Sequence, residues 1–307
     1  MDPVIAAAIF VFGLCFGSFL NVCIYRLPRG ISIVTPSSKC PKCDTPLKFY
    51  DNVPVLGWLL LRGRCRHCKA SISTRYVLVE LLTGGLFLLC YAELGLSLAA
   101  LKCCVFGFLL IGLIFTDAET KLLPDKLTLT GLGLGLLFSL LVPVNDLATQ
   151  LLPGIIRLPV SYEVSWHLFS FIDALLGAAV GASFIYGAGA IYMRWRGVEG
   201  MGFGDVKLMA MVGAFLGLRL TVLTLFAATL AGSIFGVGTM FAVWLKRTRR
   251  RMLRHHESMR DARQRAWQSA TMVYRYYQMP FGVFLGSMAL VSFFFGNHFL
   301  RWYWGLL

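Results

Sequence analysis

The sequence predicts an all-α protein, a polytopic bundle of helices that crosses a membrane about eight times. The chain has 307 residues, of which 57% are hydrophobic and only 14% are charged, and its mean hydropathy is +0.71. A soluble domain of this length could not bury so large an apolar fraction in one core. The apolar residues also cluster in runs of about 20, a length that crosses a hydrocarbon layer of roughly 30 Å as a helix.

These apolar runs are separated by short polar segments, and each run predicts one transmembrane helix. The sixth run is short, and the boundary between it and the seventh is placed near Leu218 and Arg219. The runs cover residues 3–25, 76–95, 98–116, 126–142, 172–193, 206–218, 220–245 and 281–300.

The basic residues predict the orientation of the bundle. Asp2 precedes the first run and Arg26 follows it, which reverses the charge order of a signal peptide and places the N-terminus outside. Eight spans then leave about 25 of the 29 lysine and arginine residues on one side, which the positive-inside rule identifies as the cytoplasm. The segments on that side are 26–75, 117–126, 194–207 and 246–280.

The net charge of +14 follows from this orientation and from contact with anionic lipid headgroups. It does not require a nucleic-acid partner. The richest basic stretch, Lys246 to Arg265, lies between two membrane spans and carries no RNA-binding signature.

The predicted organisation has three parts. The first transmembrane helix covers 1–25, a cysteine-rich cytoplasmic loop covers 26–75, and a membrane core covers 76–307. The core contains a basic insertion at 246–280, which we predict to form a helix lying at the membrane surface. On the outer side, the prolines of segment 143–170 argue against a continuous helix there.

Two C-x-x-C pairs in the cysteine-rich loop predict a metal site. Cys40 and Cys43 form one pair, and Cys65 and Cys68 form the other, at the spacing of a four-thiolate zinc site. Two disulfides are the competing interpretation, which a cytoplasmic location disfavours because thiols there are kept reduced. Four thiolates leave no open coordination position, so the zinc would be structural.

The remaining five cysteines lie within the apolar runs. We expect them to act as small packing residues. They are Cys15, Cys23, Cys90, Cys103 and Cys104.

Two carboxylates at the ends of apolar runs are the candidate catalytic residues. Asp117 ends the third run and Asp205 begins the sixth, so the predicted topology brings both to the cytoplasmic face at similar depth. An ionisable group at the membrane is costly and therefore a functional hypothesis. The alternative is that each is a helix cap or an interfacial acid, although an acid at a helix end, as at Asp117, opposes the helix dipole.

If the two carboxylates meet, they share a proton, because like charges a few ångströms apart cannot both form easily. One carboxylate can then take a proton from water while the other protonates the carbonyl oxygen of an amide. Gly202 and Gly204 precede Asp205 and would let a backbone approach it closely. This arrangement predicts peptide hydrolysis without a covalent intermediate.

The ordered motifs of the chain resemble the type IV prepilin peptidases, membrane aspartic proteases that process the precursors of pilins and of type II secretion pseudopilins. The resemblance extends from residue 17 to residue 282. The matching segments are Gly17-Ser18-Phe19-Leu20-Asn21-Val22, Tyr25-Arg26-Leu27-Pro28, the two cysteine pairs, Asp117, Leu123-Pro124-Asp125, Gly202-Phe203-Gly204-Asp205-Val206-Lys207 and Pro280-Phe281-Gly282.

The resemblance implies that Asp117 and Asp205 are the catalytic pair. It implies cleavage at the cytoplasmic face of the bacterial inner membrane, after a basic leader that ends in glycine. Members of the family with the four cysteines also methylate the new N-terminus using S-adenosylmethionine. The long segments 143–170 and 246–278 depart from the expected pattern but leave the motif positions intact.

Further motif residues are candidates for supporting the site, and each has a structural alternative. Asp125 after Pro124 could instead cap a helix, and Lys207 could be a topology anchor. Packing explains Asn21 and Arg26 nearly as well as contact with the incoming peptide. Pro280, Phe281 and Gly282 could simply begin the last helix.

Two other functional classes remain open from the residues alone. Paired membrane acids also occur in transporters and proton channels, which would need further polar residues deep in the spans. A membrane scaffold that docks a partner through the zinc loop is the third possibility. It leaves the shared depth of the two acids unexplained.

Overall fold

The computed structural model describes residues 2–144, 162–197, 201–255, 258–276 and 279–305, and these ranges are helical without a β-strand. Their helices are α1 (Pro3–Arg26), α2 (Leu56–Leu60), α3 (Arg75–Leu94), α4 (Leu98–Thr120), α5 (Asp125–Leu141), α6 (Tyr162–Arg196), α7 (Phe203–His255), α8 (Met259–Tyr276) and α9 (Phe281–Trp304).

Six of the described helices are long and apolar enough to cross a membrane, namely α1, α3, α4, α6, α7 and α9. The shorter α5, with 17 residues, holds the fourth predicted run, and α7 holds both the sixth and the seventh. The prediction of an all-helical, multi-pass membrane bundle is therefore confirmed. The number of crossings stays a prediction.

The long helix α7 turns back on itself at Gly217, whose φ of 76° and ψ of 178° are not helical. A Cβ placed on Gly181 of α6 would lie 2.8 Å from the carbonyl oxygen of Met209 and 3.1 Å from the methyl group of Thr221. On one straight helix these two residues would be about 18 Å apart. The limbs 203–216 and 218–255 are thus antiparallel, and the reversal lies beside the predicted boundary at Leu218.

The second limb of α7 extends well past the bundle. Phe235 packs on Phe284 near the start of α9, with ring centroids 5.4 Å apart. The twenty residues that follow Phe235 reach about 30 Å further as a helix. Trp244 on this extension donates a hydrogen bond to the carbonyl of Arg263 on α8 (3.1 Å), and its ring meets that of Trp267.

The amphipathic helix α8 uses its apolar face to pack against this extension. Ala262, Ala266 and Ala270 recur every fourth residue and are buried, while Met259 and Met272 are exposed. The predicted helix in the basic insertion therefore exists, as the end of α7 and as α8, whose alanines pack closely on α7. Its position at the membrane surface stays a prediction.

The apolar core lies between α4, the first limb of α7 and α9. Phe106 of α4 stacks on Phe215 of α7 with centroids 4.7 Å apart and also contacts Phe293 of α9 at 5.6 Å. Two glycines, Gly177 of α6 and Gly213 of α7, bring those helices into backbone contact. A dense packing of this kind holds the helix ends at fixed positions.

One expectation for the cysteines within the apolar runs was wrong. Cys90 of α3 and Cys103 of α4 form a disulfide rather than acting as unpaired packing residues, because the short α3–α4 connection brings facing positions together. In the segment 143–170, Pro143 is not helical and α6 begins at Tyr162, after the last of the three prolines. Residues 145–161, with Pro153 and Pro159, lie outside the described ranges.

Candidate active site and metal centre

Asp117 lies in the last turn of α4 and its side chain reaches the beginning of α9. Its Oδ2 accepts the backbone N–H of Val283 at 3.0 Å, and the N–H of Gly282 also bonds to this carboxylate. N–H groups in the first turn of a helix lack helical acceptors, and the helix dipole favours a negative charge there. The acid that opposes the dipole of its own helix is thus stabilised by another helix.

Asp205 is the third residue of α7 and lies beside Asp117. Its side chain is buried, and its charge state is affected by the charge of Asp117, so the two carboxylates are within electrostatic range. Its own N–H donates to the carbonyl of Gly202 at 3.1 Å. Because Asp205 sits inside the first turn, it is not the N-cap of α7. The fold brings together two acids that the sequence places far apart.

The glycines beside the acids make room for packing. A Cβ on Gly204 would lie 3.0 Å from the Cβ of Leu123, and one on Gly282 would lie 2.9 Å from Oδ2 of Asp117. Sequence reasoning named both glycines as site residues but named Leu123 only as part of the Leu123-Pro124-Asp125 motif, without a role. Its contacts join residues far apart in the chain, which no local pattern reveals.

Lys207 of α7 and Asp125 of α5 form an ion pair at the end of the bundle that holds Asp117 and Asp205, which we call the mouth. Their Nζ and Oδ1 atoms are 2.6 Å apart. Pro124, not Asp125, is the N-cap of α5, so the carboxylate is free to pair with α7. Lys207 also lies 5.1 Å from the ring centroid of Phe203. The pair is partly exposed, and such pairs contribute about 0–1 kcal/mol to the free energy of unfolding.

Asn21 and Arg26 are buried on α1, where their side chains contact α3 and the cysteine loop. The Asn21 amide donates to the carbonyl of Tyr76 on α3 at 3.0 Å. Arg26 donates to the carbonyls of Ser32 and Ser37, at 3.0 and 3.4 Å. Both side chains therefore hold the base of the cysteine loop against the bundle. Contact with substrate stays a prediction for them.

The last helix starts where the sequence indicated. Pro280 is the N-cap of α9, and Phe281 packs against the core and near Gly232 of α7. Of the three motif residues at this start, Gly282 is the one that touches Asp117.

Sequence reasoning missed one ion pair, which joins the end of the cysteine loop to the helix that carries Asp117. Arg75, the first residue of α3, pairs with Glu119, two residues after Asp117 on α4. The guanidinium of Arg75 also lies 4.6 Å from the ring centroid of Tyr76. The end of the cysteine loop is thus tied to the helix that carries one of the acids.

The loop also docks on the membrane helices. Glu80 of α3 accepts the N–H of Val55 at 2.7 Å. Gly17 of α1 lies against the backbone of Glu80, where an added Cβ would be 2.6 Å from its Cα. The close approach of α1 and α3 therefore requires glycine at this position.

The four loop cysteines converge on one point. Their Sγ atoms all lie within 4.8 Å of one another, with Cys40 and Cys68 at 3.8 Å and Cys43 and Cys65 at 3.9 Å. Zinc–sulfur bonds of about 2.3 Å in a tetrahedron place sulfurs about 3.8 Å apart, so the set fits zinc. His67 is exposed and is not part of this group.

The two cysteine pairs are built on equivalent hairpins. In the first, the N–H of Cys40 donates to the carbonyl of Thr45, and the backbones of Lys39 and Pro46 form an antiparallel β-bridge. In the second, the N–H of Cys65 donates to the carbonyl of Ala70, and the backbones of Arg64 and Ser71 form an antiparallel β-bridge. Asp44 and Lys69, at corresponding positions, both have a left-handed backbone, with φ of 54° and 58°.

The hairpins also shift the pKa values of the thiols of Cys43, Cys65 and Cys68. The Thr45 side chain, then the backbone of Thr45, lowers the pKa of the Cys43 thiol to about 6. The backbone N–H groups of Cys68 and His67 lower the pKa of Cys65. The hydrogen bond from the Ala70 backbone lowers the pKa of the Cys68 thiol. Burial and hydrogen bonds with the neighbouring cysteines outweigh this effect and raise the pKa to about 11. A divalent cation bound by the four sulfur atoms would favour the thiolate form of all four cysteines.

Comparison with known proteins agrees with this geometry. Residues 11–94 match the model of the bacterial peptidase A24 N-terminal domain, and residues 103–237 match that of the type IV leader peptidase family. A prepilin leader peptidase/N-methyltransferase from Aeromonas salmonicida is 32% identical over 323 residues, 96% of this chain and 92% of that protein. The chain belongs to the type IV leader peptidase family.

Other members of the family are similarly related. A prepilin leader peptidase/N-methyltransferase from Myxococcus xanthus is 39% identical over 242 residues, covering 78% of this chain and 64% of that protein. One from Neisseria gonorrhoeae is 35% identical over 254 residues, 74% of this chain and 79% of that protein. No solved structure matches the chain. The resemblance inferred from the motifs is confirmed, and membership supports a multi-pass inner-membrane protein.

Proposed function

We propose that this protein is a membrane aspartic endopeptidase that removes the leader of type IV prepilins or type II secretion pseudopilins, after glycine, at the cytoplasmic face. It also methylates the new N-terminus. The observation that carries the proposal is the meeting of Asp117 and Asp205 at one end of the bundle, within electrostatic range. The names of the related proteins supply the substrate class and the second activity.

The surroundings of the two acids divide the chemical work between them. In this proposal Asp117 carries the negative charge, because it accepts two backbone N–H groups from the first turn of α9. Asp205 then keeps the shared proton. Asp117 takes a proton from water, the resulting hydroxide adds to the scissile carbonyl carbon, and Asp205 protonates the carbonyl oxygen. Asp117 then gives its proton to the amide nitrogen, Asp205 takes a proton back from a hydroxyl of the tetrahedral diol, and the C–N bond breaks to release the amine and the carboxylic acid.

The substrate would enter the site laterally from the bilayer. A prepilin carries a basic leader followed by an apolar helix, so the helix can stay in the membrane while the leader reaches the cytoplasmic mouth. Basic residues concentrated on the predicted cytoplasmic side support this orientation. The partners are thus the precursor peptides and membrane lipid.

Zinc is the metal we propose for the loop, held by Cys40, Cys43, Cys65 and Cys68. Its role is structural, because the four thiolates complete the coordination shell. It would fix the two hairpins relative to each other and, through Arg75 and Glu119, relative to α4.

S-adenosylmethionine is the proposed methyl donor for the second activity. A cleft of about 590 Å³ on the loop is lined by the basic side chains Arg62, Arg64, Arg66 and Lys69. Arg66 is paired with Asp51, and the other basic side chains suit the carboxylate of the methionine part but not its sulfonium or amino group. The volume lies in the range of small-molecule sites. When bound, the sulfonium group supplies an electrophilic methyl group to the amine released by cleavage.

The test is cleavage of a prepilin-like peptide by the purified protein, with the cut located by mass spectrometry. We expect cleavage after glycine by the parent chain and none by Asp117→Asn or Asp205→Asn. Asp173→Asn is the matched control, because Asp173 is also buried but lies at the outer end, where its Oδ1 accepts the N–H of Leu218. Parental rates in either active-site variant would overturn the assignment. A transporter or a scaffold would show no cleavage in any form.

A further inference from the structure

The connection between α4 and α5 places one apolar side chain against the two glycines that neighbour the acids. The connection starts at Lys121, whose left-handed backbone (φ 55°, ψ 29°) ends α4, and its N–H donates to the carbonyl of Asp117 at 2.9 Å. The next two residues are both leucines but differ in environment. Leu122 is exposed, whereas Leu123 packs against the core.

Leu123 touches the glycine beside each acid. A Cβ on Gly204 would lie 3.0 Å from the Cβ of Leu123, and a Cβ on Gly282 would lie 3.2 Å from its Cδ1. Gly204 immediately precedes Asp205. Gly282 lies against Asp117, with the added Cβ 2.9 Å from Oδ2. One leucine side chain therefore spans the first turns of α7 and α9, the two helix starts that hold the acids.

We propose that Leu123 is a positioning residue that sets the gap between Asp117 and Asp205. A Cβ at either glycine would crowd Leu123, so the leucine side chain occupies the space beside both helix starts. Truncation would leave a void into which the starts of α7 and α9 can move. The proposal rests on the proposed function for its catalytic consequence.

The gap matters because the two acids act as one unit. A water molecule must fit between them, and their coupling through a shared proton depends on their separation. Misplacement by about 1 Å costs on the order of 10²-fold in rate without loss of binding contacts. A positioning residue acts through the acids, so the loss of Leu123 should reduce turnover more than substrate binding.

The kinetic test compares Leu123→Ala with Leu123→Met and Leu122→Ala. We expect Leu123→Ala to lower kcat by about tenfold or more with KM within about twofold. Leu123→Met fills a similar volume and should recover most of the rate. Leu122→Ala, the adjacent and exposed control, should match the parent chain.

The pH dependence of kcat separates positioning from general destabilisation. Two coupled carboxylates give two apparent ionisations, and their separation shrinks when the coupling weakens. We expect the acidic and basic limbs of the profile to move closer together in Leu123→Ala. A fall in the folded fraction alone would scale the profile without changing its width.

Hydrogen–deuterium exchange provides a readout that does not need activity. We expect faster exchange at the starts of α7 and α9, including Val283, in Leu123→Ala and parental exchange in Leu122→Ala. If the parent chain fails to cleave prepilin, the proposed function fails, and exchange alone decides the role of Leu123. Parental kcat and pH profile in Leu123→Ala, or parental exchange at both helix starts, would overturn the positioning role.

Discussion

The mouth that holds the acids and the loop that holds the cysteines are small polar sites on the same bundle, yet they are assembled differently. The mouth takes Asp117, Asp205 and Val283 from three helix ends that are far apart in the chain, and only helix packing brings them together. The loop builds its site from two local hairpins, each a few residues long. The mouth therefore depends on the whole bundle, whereas the loop depends on local turns and a metal.

The largest expected effect is loss of cleavage without loss of metal. Asp117→Asn and Asp205→Asn each remove one half of the acid–base pair, so we expect cleavage to fall by at least about 100-fold. Zinc per chain, measured by elemental analysis of the same samples, should stay at the parental value. Joint loss of zinc and activity would show that the two sites are not independent.

The converse prediction concerns the loop. Cys40→Ser and Cys65→Ser each remove a ligand from the four-thiolate group, and zinc should fall from about one per chain to near zero. Cleavage should fall less than in the aspartate variants, because the acids keep their contacts. Cys15→Ser, outside the cluster, is the control. Retained stoichiometric zinc in the cluster variants would rule out the four-thiolate site.

A smaller effect is expected at the link between the two sites. Arg75→Gln and Glu119→Gln each break the ion pair between the loop and α4. If this pair couples the sites, each single variant lowers cleavage about fivefold and the double variant lowers it no further, a coupling of about 1 kcal/mol. Additive losses in the double-mutant cycle would mean that the loop and the mouth communicate by another route.

The smallest effect is expected at the exposed pair of Lys207 and Asp125. Partly exposed ion pairs contribute little, so Lys207→Met and Asp125→Asn should change cleavage by less than about threefold. Progress curves with a prepilin peptide at low and high salt provide the measurement. A loss comparable to that of the aspartate variants would place Lys207 or Asp125 in direct contact with the reacting groups.

The same difference in assembly explains what the sequence could predict. The apolar runs correctly indicated a helical membrane bundle, and local spacing was enough to indicate the cysteine cluster. The boundary near Leu218 was also close to the observed reversal at Gly217. These features depend on composition or on residues near one another in the chain.

The missed features depend on contacts between distant residues. The bond from Val283 to Asp117 and the position of Leu123 require the packed ends of α4, α7 and α9. The disulfide between Cys90 and Cys103 likewise depends on how α3 and α4 face each other. A hydropathy pattern gives the face and the length of a helix but not its rotation against a neighbour.

The central claim is that Asp117 and Asp205 lie at one mouth, and cross-linking tests it most directly. In membranes, Asp117→Cys combined with Asp205→Cys should form a cross-link with a short bifunctional thiol reagent, identified as a linked peptide pair by mass spectrometry. Asp117→Cys combined with Asp173→Cys, at the opposite end of the bundle, should not. The account predicts linkage in the first pair alone, and an absent link there, or equal yields in both pairs, would contradict it.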